Sequence, residues 1–213
     1  MESDNTKELA YFLGVICGDG YVGRNGIIEV KSDDFEFLNG TYAEVVNKIF
    51  DKRPTIRKEL YKKFTYYRAF FYSKKAHDFL KENGIISPKT FIVRMPEIIR
   101  KSNILSKNHF VRGVFDTDGT VYTKINKDII NYPTVQLESR SENLIKDIEE
   151  TLILSCLKAK RGTYIKRDKP AFVVRVYGFE QLRMFMAHIG FSKPKKLKKA
   201  ERILNEGIKR TGR

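Results

Sequence analysis

An internal repeat constrains this chain more than any other feature. Residues 9–22 read LAYFLGVICGDGYV and residues 108–121 read NHFVRGVFDTDGTV, so Asp19 and Asp118 are 99 residues apart (118 − 19). Two further blocks follow in the same order. EVKSDDFEFL (29–38) parallels ESRSENLIKD (138–147), and FLKENGIISPK (79–89) parallels FMAHIGFSKPK (185–195). A unit of this length is too long for a solenoid repeat and reads as a duplicated domain. The expected division is an N-terminal half over 1–90, a linker over 91–107 and a C-terminal half with a basic tail over 108–213.

Each half carries the same run of patterns. Leu9, Phe12, Leu13 and Ile16 fall at helical spacing, with Gly20 as the expected C-cap. Asn25-Gly26 predicts a type I′ turn between short strands. Asp33 with Glu36 three residues on predicts a capped helix running to about Phe50. Strands are expected near 55–62 and 65–72, then a helix over 74–83. The second half repeats this, with strands near 120–127, 133–140, 160–167 and 171–177. The fold class is therefore α+β, with two αββαββα halves and a Lys-rich helical tail from Ser192.

Charge narrows the partner. The chain has 213 residues with 41 Lys+Arg against 26 Asp+Glu, a net +15, and 41% of it is apolar. That composition excludes a disordered polybasic tail and makes nucleic acid the first partner to consider. No apolar run approaches the roughly 18 residues of a membrane span, and MESDNTKE lacks the pattern of a signal peptide. An intracellular protein that is not secreted is the expectation. Two cysteines, Cys17 and Cys156, exclude a disulfide scaffold, and with three histidines they leave no zinc finger.

Strand alternation sorts the polar residues onto one face. Arg57, Tyr66 and Arg68 share such a face in the first half, and Lys124, Gln136, Glu138, Arg140, Lys166, Arg175 and Tyr177 are its candidates in the second. A solvated sheet face accounts for any one of them. Together the Arg, Gln, Glu and Tyr mixture suits reading base edges.

The acids come next. One Asp-Gly is a turn signal, but here two occupy equivalent places in a duplicated domain. The helices before them carry small residues at matching positions, Gly14 and Gly18, then Gly113 and Thr117. If those helices pack about a pseudo-two-fold axis, Asp19 and Asp118 meet at their ends. Paired carboxylates repel, and a divalent cation such as Mg²⁺ resolves the repulsion. Beside a basic groove, such an ion can activate water for phosphodiester hydrolysis.

FLGVICGDG (12–20) and VRGVFDTDG (111–119) resemble the two signature copies of the LAGLIDADG homing endonucleases, and the resemblance spans most of the chain. It implies a monomer whose signature helices form the half–half interface and whose two antiparallel sheets make a saddle over double-stranded DNA. It also implies sequence-specific, Mg²⁺-dependent cleavage with short 3′ overhangs, Mn²⁺ substituting and Ca²⁺ binding without cutting. By position, Asp19 and Asp118 become the metal-binding acids and the carbonyls of Gly18 and Thr117 secondary ligands. Lys89 and Lys195 become the candidate catalytic lysines, with Lys124 a rival. Asp116 reads as a structural acid, and Cys17 as a packing residue. Glu29 and Glu138 either touch bases or lie near the metals. His77, His109 and His188 have ordinary structural explanations. Other readings on the same scaffold are an RNA-binding maturase of a host intron and a DNA-binding regulator without cleavage. The starting Met and the tail without a terminal His-Asn lead to the expectation of a free-standing, intron-encoded protein.

Overall fold

The computed structural model describes residues 6–61, 63–85, 87 and 92–211. The first half runs α1 (Thr6–Cys17), β1 (Gly20–Val22), β2 (Ile27–Ser32), α2 (Phe35–Phe37), a π-wound turn (Leu38–Tyr42), α3 (Ala43–Phe50), β3 (Thr55–Tyr61), β4 (Phe64–Tyr72) and α4 (Lys74–Glu82). A short α5 (Glu97–Arg100) leads into the second half. That half runs α6 (Ile104–Thr117), β5 (Gly119–Asn126), β6 (Ile129–Ser139), α7 (Glu142–Leu154), β7 (Lys160–Lys166), β8 (Lys169–Tyr177), α8 (Phe179–His188) and α9 (Pro194–Glu206). Each half thus has the expected αββαββα order.

The two sheets are antiparallel, ordered β1-β2-β4-β3 and β5-β6-β8-β7. Register puts one apolar face of each against the helices. Ile28 and Val30 pair with Phe71 and Ala69, and Val135 and Leu137 pair with Val176 and Val174, all buried. Period-two alternation then leaves Glu29, Lys31, Arg57 and Arg68 on the opposite face of the first sheet, and Gln136 and Arg175 on that of the second. The apolar faces and α1 and α6 belong to one continuous core that crosses from half to half.

Several local expectations change. Asp34, not Asp33, caps α2, its Oδ1 accepting from the Phe37 amide at 3.3 Å. Asp33 is drawn off by the C-terminal half, where Lys193 Nζ lies 3.0 Å away. The turn at Asn25-Gly26 is not type I′. The loop has three residues between the pairing amides, Gly26 N donates to Gly23 O at 3.2 Å, and only Gly26 is left-handed, at φ 80°. That is a type I turn closed by a left-handed glycine. The two-residue turn with two left-handed centres occurs instead at Arg167 (φ 51°) and Asp168 (φ 57°), between β7 and β8. Gly20 is no left-handed cap either. It opens β1, and a Cβ there would meet Ile16 Cα at 2.5 Å, so close approach over the helix end is what requires it. The connector is also ordered at its described end, where Asp147 Oδ2 accepts from the Met95 amide at 2.9 Å.

Candidate active site at the helix ends

Helices α1 and α6 pack side by side because their contacting positions have almost no side chain. A Cβ on Gly14 would stand 2.1 Å from the Phe110 carbonyl oxygen, and one on Gly113 would stand 2.3 Å from that of Tyr11. At the last turn a Cβ on Gly18 would meet Thr117 Oγ1 at 2.0 Å. The equal spacing of these contacts sets the helices parallel and at the same height, so both chains leave the pair at one end.

Asp19 and Asp118 are the first residues past that end, and they open into different clefts. Asp19 lines a cleft of about 780 Å³ together with Glu29, Thr117 and Lys193. Asp118 lines one of about 240 Å³ with Gly18, Glu138 and Arg140. Each acid therefore shares its cleft with the residue that precedes the acid of the other half. Glu29 and Glu138 sit in the two clefts at matching places, on the polar sheet faces. This crossed arrangement is what a pseudo-two-fold axis along the helix pair produces.

Lysines crowd the same end. Lys196 Nζ donates to the carbonyl oxygens of Phe115 (2.8 Å), Asp116 (2.8 Å) and Thr117 (2.9 Å), closing the C-terminus of α6 where the helix dipole is negative. Burial and the neighbouring Lys193 lower its pKa to about 8, against the opposing pull of Asp116, Asp118 and Asp19. Lys195 points elsewhere, its Nζ on Asp33 O at 2.7 Å and on Asp33 Oδ2 at 3.2 Å. The KPKK run held the signal, but adjacent residues in the first turn of a helix diverge by about 100°. Lys89 lies outside the described residues.

Asp116 is fully buried and accepts from Tyr11 Oη at 2.6 Å, the Ser192 amide at 3.0 Å and the Lys193 amide at 3.0 Å. Burial pushes its carboxyl up, and the three donors pull it back. It ties α1, α6 and the start of α9 together behind the clefts. Cys17, its counterpart, is buried in the helix pair.

Of the sheet residues, Lys124 Nζ rests over the Tyr177 ring, 4.5 Å from its centroid, and Arg175 Nε donates to Gln136 Oε1 at 2.7 Å. Arg68 and Arg57 both lie over Phe70, and Arg68 also pairs with Glu59 at 3.0 Å. Tyr66 lines the cleft of Asp19. Lys166 and Tyr164 both bond Glu138 and, despite its burial, hold its carboxyl below the usual range. Arg140 reaches to the β7–β8 turn, its guanidinium donating to the carbonyls of Lys166, Lys169 and Pro170 at 2.8–2.9 Å. It secures the β7–β8 turn.

Among the described residues, no three His, Cys, Asp or Glu side chains converge on one point. The cleft of Asp19 nonetheless holds the carboxylates of Glu29, Asp33 and Glu59 as well, and that of Asp118 holds Glu138, so carboxylate oxygen prevails in both. Mg²⁺ accepts such a set because it keeps most of its waters and shares substrate phosphates.

Residues 106–190 match the family described as LAGLIDADG-like domain. The match covers the second half from α6 to α8. The replication factor C small subunit of Methanocaldococcus jannaschii is 28% identical over 207 residues, 96% of this chain and 10% of that protein. Glutamine–fructose-6-phosphate aminotransferase of the same organism is 25% identical over 209 residues, 94% of this chain and 18% of that protein. The chain thus spans less than a fifth of the length of these relatives. The homing endonuclease I-DmoI, solved in complex with DNA and Ca, has the same fold, with a TM-score of 0.64 at 14% identity over 94% of this chain and 100% of that one. Full-length DUF199/WhiA from Thermatoga maritima shares it too, with a TM-score of 0.61 at 17% identity over 100% of this chain and 64% of that one. Of the two paired helices, α6 lies in the matched segment, and Asp19 and Asp118 stand at the C-terminal ends of α1 and α6.

Proposed function

We propose that this chain is a sequence-specific endonuclease of double-stranded DNA, active as a monomer and dependent on Mg²⁺, leaving short 3′ overhangs. The observation that carries this reading is the pair of crossed clefts, each with one signature aspartate opening beneath a polar sheet face. Two cutting centres related by a two-fold axis suit two antiparallel strands. I-DmoI has been solved with DNA and Ca, and with DNA and Mn. The two curated relatives have unrelated names, so neither name supplies the activity of the segment they share with this chain. A segment found inside unrelated proteins behaves as a mobile element, as an endonuclease encoded within an insertion does.

Asp19 and Asp118 would hold the cations, with the carbonyls of Gly18 and Thr117 as further donors. Bound there, the ion would neutralise the scissile phosphate and acidify a water. Hydrolysis forms a bond from water oxygen to phosphorus and releases the 3′ oxygen. Lys196 adds positive charge beside both acids and fixes the end of α6. Arg57, Arg68, Lys124, Gln136, Arg175 and Tyr177 would face the DNA. A second reading, DNA binding without cleavage, is favoured by one contact: the Thr117 carbonyl already takes the Lys196 ammonium.

A target selected from a random duplex library in Ca²⁺ tests the proposal. Addition of Mg²⁺ should cut it on both strands. Asp19→Asn and Asp118→Asn should each abolish double-strand cleavage with little change in affinity, and Lys196→Met should slow it by about 100-fold, the scale of one lost electrostatic contact. Tight binding with no cutting in Mg²⁺ or Mn²⁺ would establish the second reading. Retention of intron RNA by a chain inert on duplex DNA would make it a maturase.

A further inference from the structure

The two halves differ in one large feature of their DNA-facing sheets, and a strand from outside the repeat supports the difference. β1 and β2 have 3 and 6 residues, whereas β5 and β6 have 8 and 11. Five more residues per strand carry the second hairpin about 17 Å farther at a rise of about 3.3 Å per residue. β8 cannot support that extension. Its pairing with β6 stops at Thr134↔Tyr177, and the chain turns away at Gly178, whose amide donates to Pro133 O at 2.9 Å.

Residues 207–211 take the vacated edge. Gly207, at φ 63°, ends α9 and swings the chain beside β6. The Ile130 amide donates to Lys209 O at 2.9 Å and the Thr211 amide donates to Asp128 O at 2.8 Å, with Arg210 in antiparallel register with Ile129. Asn131, buried, clamps the start of this segment, its Nδ2 donating to Gly207 O at 2.6 Å and its Oδ1 accepting from the Lys209 amide at 2.8 Å. The β5–β6 ladder shifts register between Lys124 and Asn126, so exposure marks what this segment offers to a partner. Ile129 packs against the core, whereas the side chains of Arg210 and Lys209 are 70% and 51% exposed. Lys209 stands opposite Ile130, its Nζ on Glu206 Oε2 at 2.9 Å.

We infer that residues 207–211 form an added edge strand of the second sheet, and that this strand and the long β5–β6 hairpin together grip DNA beyond the reach of the first half. The inference rests on the DNA-binding reading. It makes the target lopsided: at about 3.4 Å per base pair, 17 Å adds about five base pairs on the side of the C-terminal half. Lys209 contributes a phosphate contact there.

Footprinting on the selected target in Ca²⁺ tests it, since cutting is not needed. The full chain should protect about five more base pairs on one side of the centre than on the other. Deleting residues 207–213 should remove that excess and leave the central protection in place. A symmetrical footprint, or one that deletion leaves unchanged, overturns the inference. If deletion unfolds the chain, Lys209→Ala decides. The full-length variant should lower the slope of log affinity against log salt by about 1, and an unchanged slope refutes the contact. Absence of any footprint from the full chain would instead strike the DNA-binding reading itself.

Discussion

The two halves share an order of elements and differ in how each is tied down. In the first half, α1 meets the interface with Ala10 and Cys17, both small and buried. In the second, α6 carries His109 and Asp116 at the same places, and Asp116 anchors the segment that leads into α9. The cleft of Asp19 is accordingly roofed by a lysine-rich element belonging to the other half, through Lys193. The cleft of Asp118 is a third of the volume. Duplication supplies the two-fold arrangement of acids, and the additions after the second copy make the two centres unequal.

The comparison breaks first at the shared helix pair. Gly14→Val puts a branched side chain against the Phe110 carbonyl, which cannot move without its helix. It should cost about 3 kcal/mol, lowering the thermal midpoint by about 6–12 °C. Gly40→Ala serves as the control, because nothing lies within 4 Å of its added Cβ. If both variants melt alike, helix contact is not what joins the halves.

The next effect separates Asp116 from Cys17. Asp116→Ala strands a buried tyrosine hydroxyl and two amides, for a loss of about 2–3 kcal/mol. Cys17→Ala removes one small buried group and should cost about 1 kcal/mol. Equal losses in urea melts would show that Asp116 is not the tie described above.

The smallest effect is a pH dependence confined to the second half. Burial, with Arg112 and Lys7 nearby, lowers the His109 pKa to about 4, although Glu8 opposes the shift. The unfolded chain binds its proton near pH 6.5, so unfolding takes up a proton between the two values. Stability should be unaffected by this group above about pH 6.5 and decline as pH falls toward 4. His109→Gln should flatten that decline. The position is Ala10 in the first half, so no equivalent signal arises there.

Much of this was legible in the chain. The 99-residue offset located both paired helices, and the small residues in them announced a close pair before any contact was known. Alternation in 134–140 and 171–177 assigned the faces of the second sheet correctly. What failed turned on choices between neighbours. Asp33 and Asp34 have equal capping chemistry, and only a lysine 160 residues away separates their roles. Lys195 and Lys196 differ by one helical step. Nothing local reveals that three turn carbonyls converge on Arg140. The support of the long hairpin by residues 207–211 left no pattern at all, since edge pairing needs backbone amides rather than particular side chains.

The sequence by itself therefore determined the number of halves, the order of their elements, the faces of their strands and the two acids between them. These follow from periodicity and from repetition, which are properties of short stretches. The tertiary structure decided which residue preceding an acid shares the cleft of the other acid, which lysine reaches the helix end, and which half is longer. Those depend on the parallel packing of α1 and α6 and on where the chain after α8 returns, and distances set across the fold are not encoded in any local run.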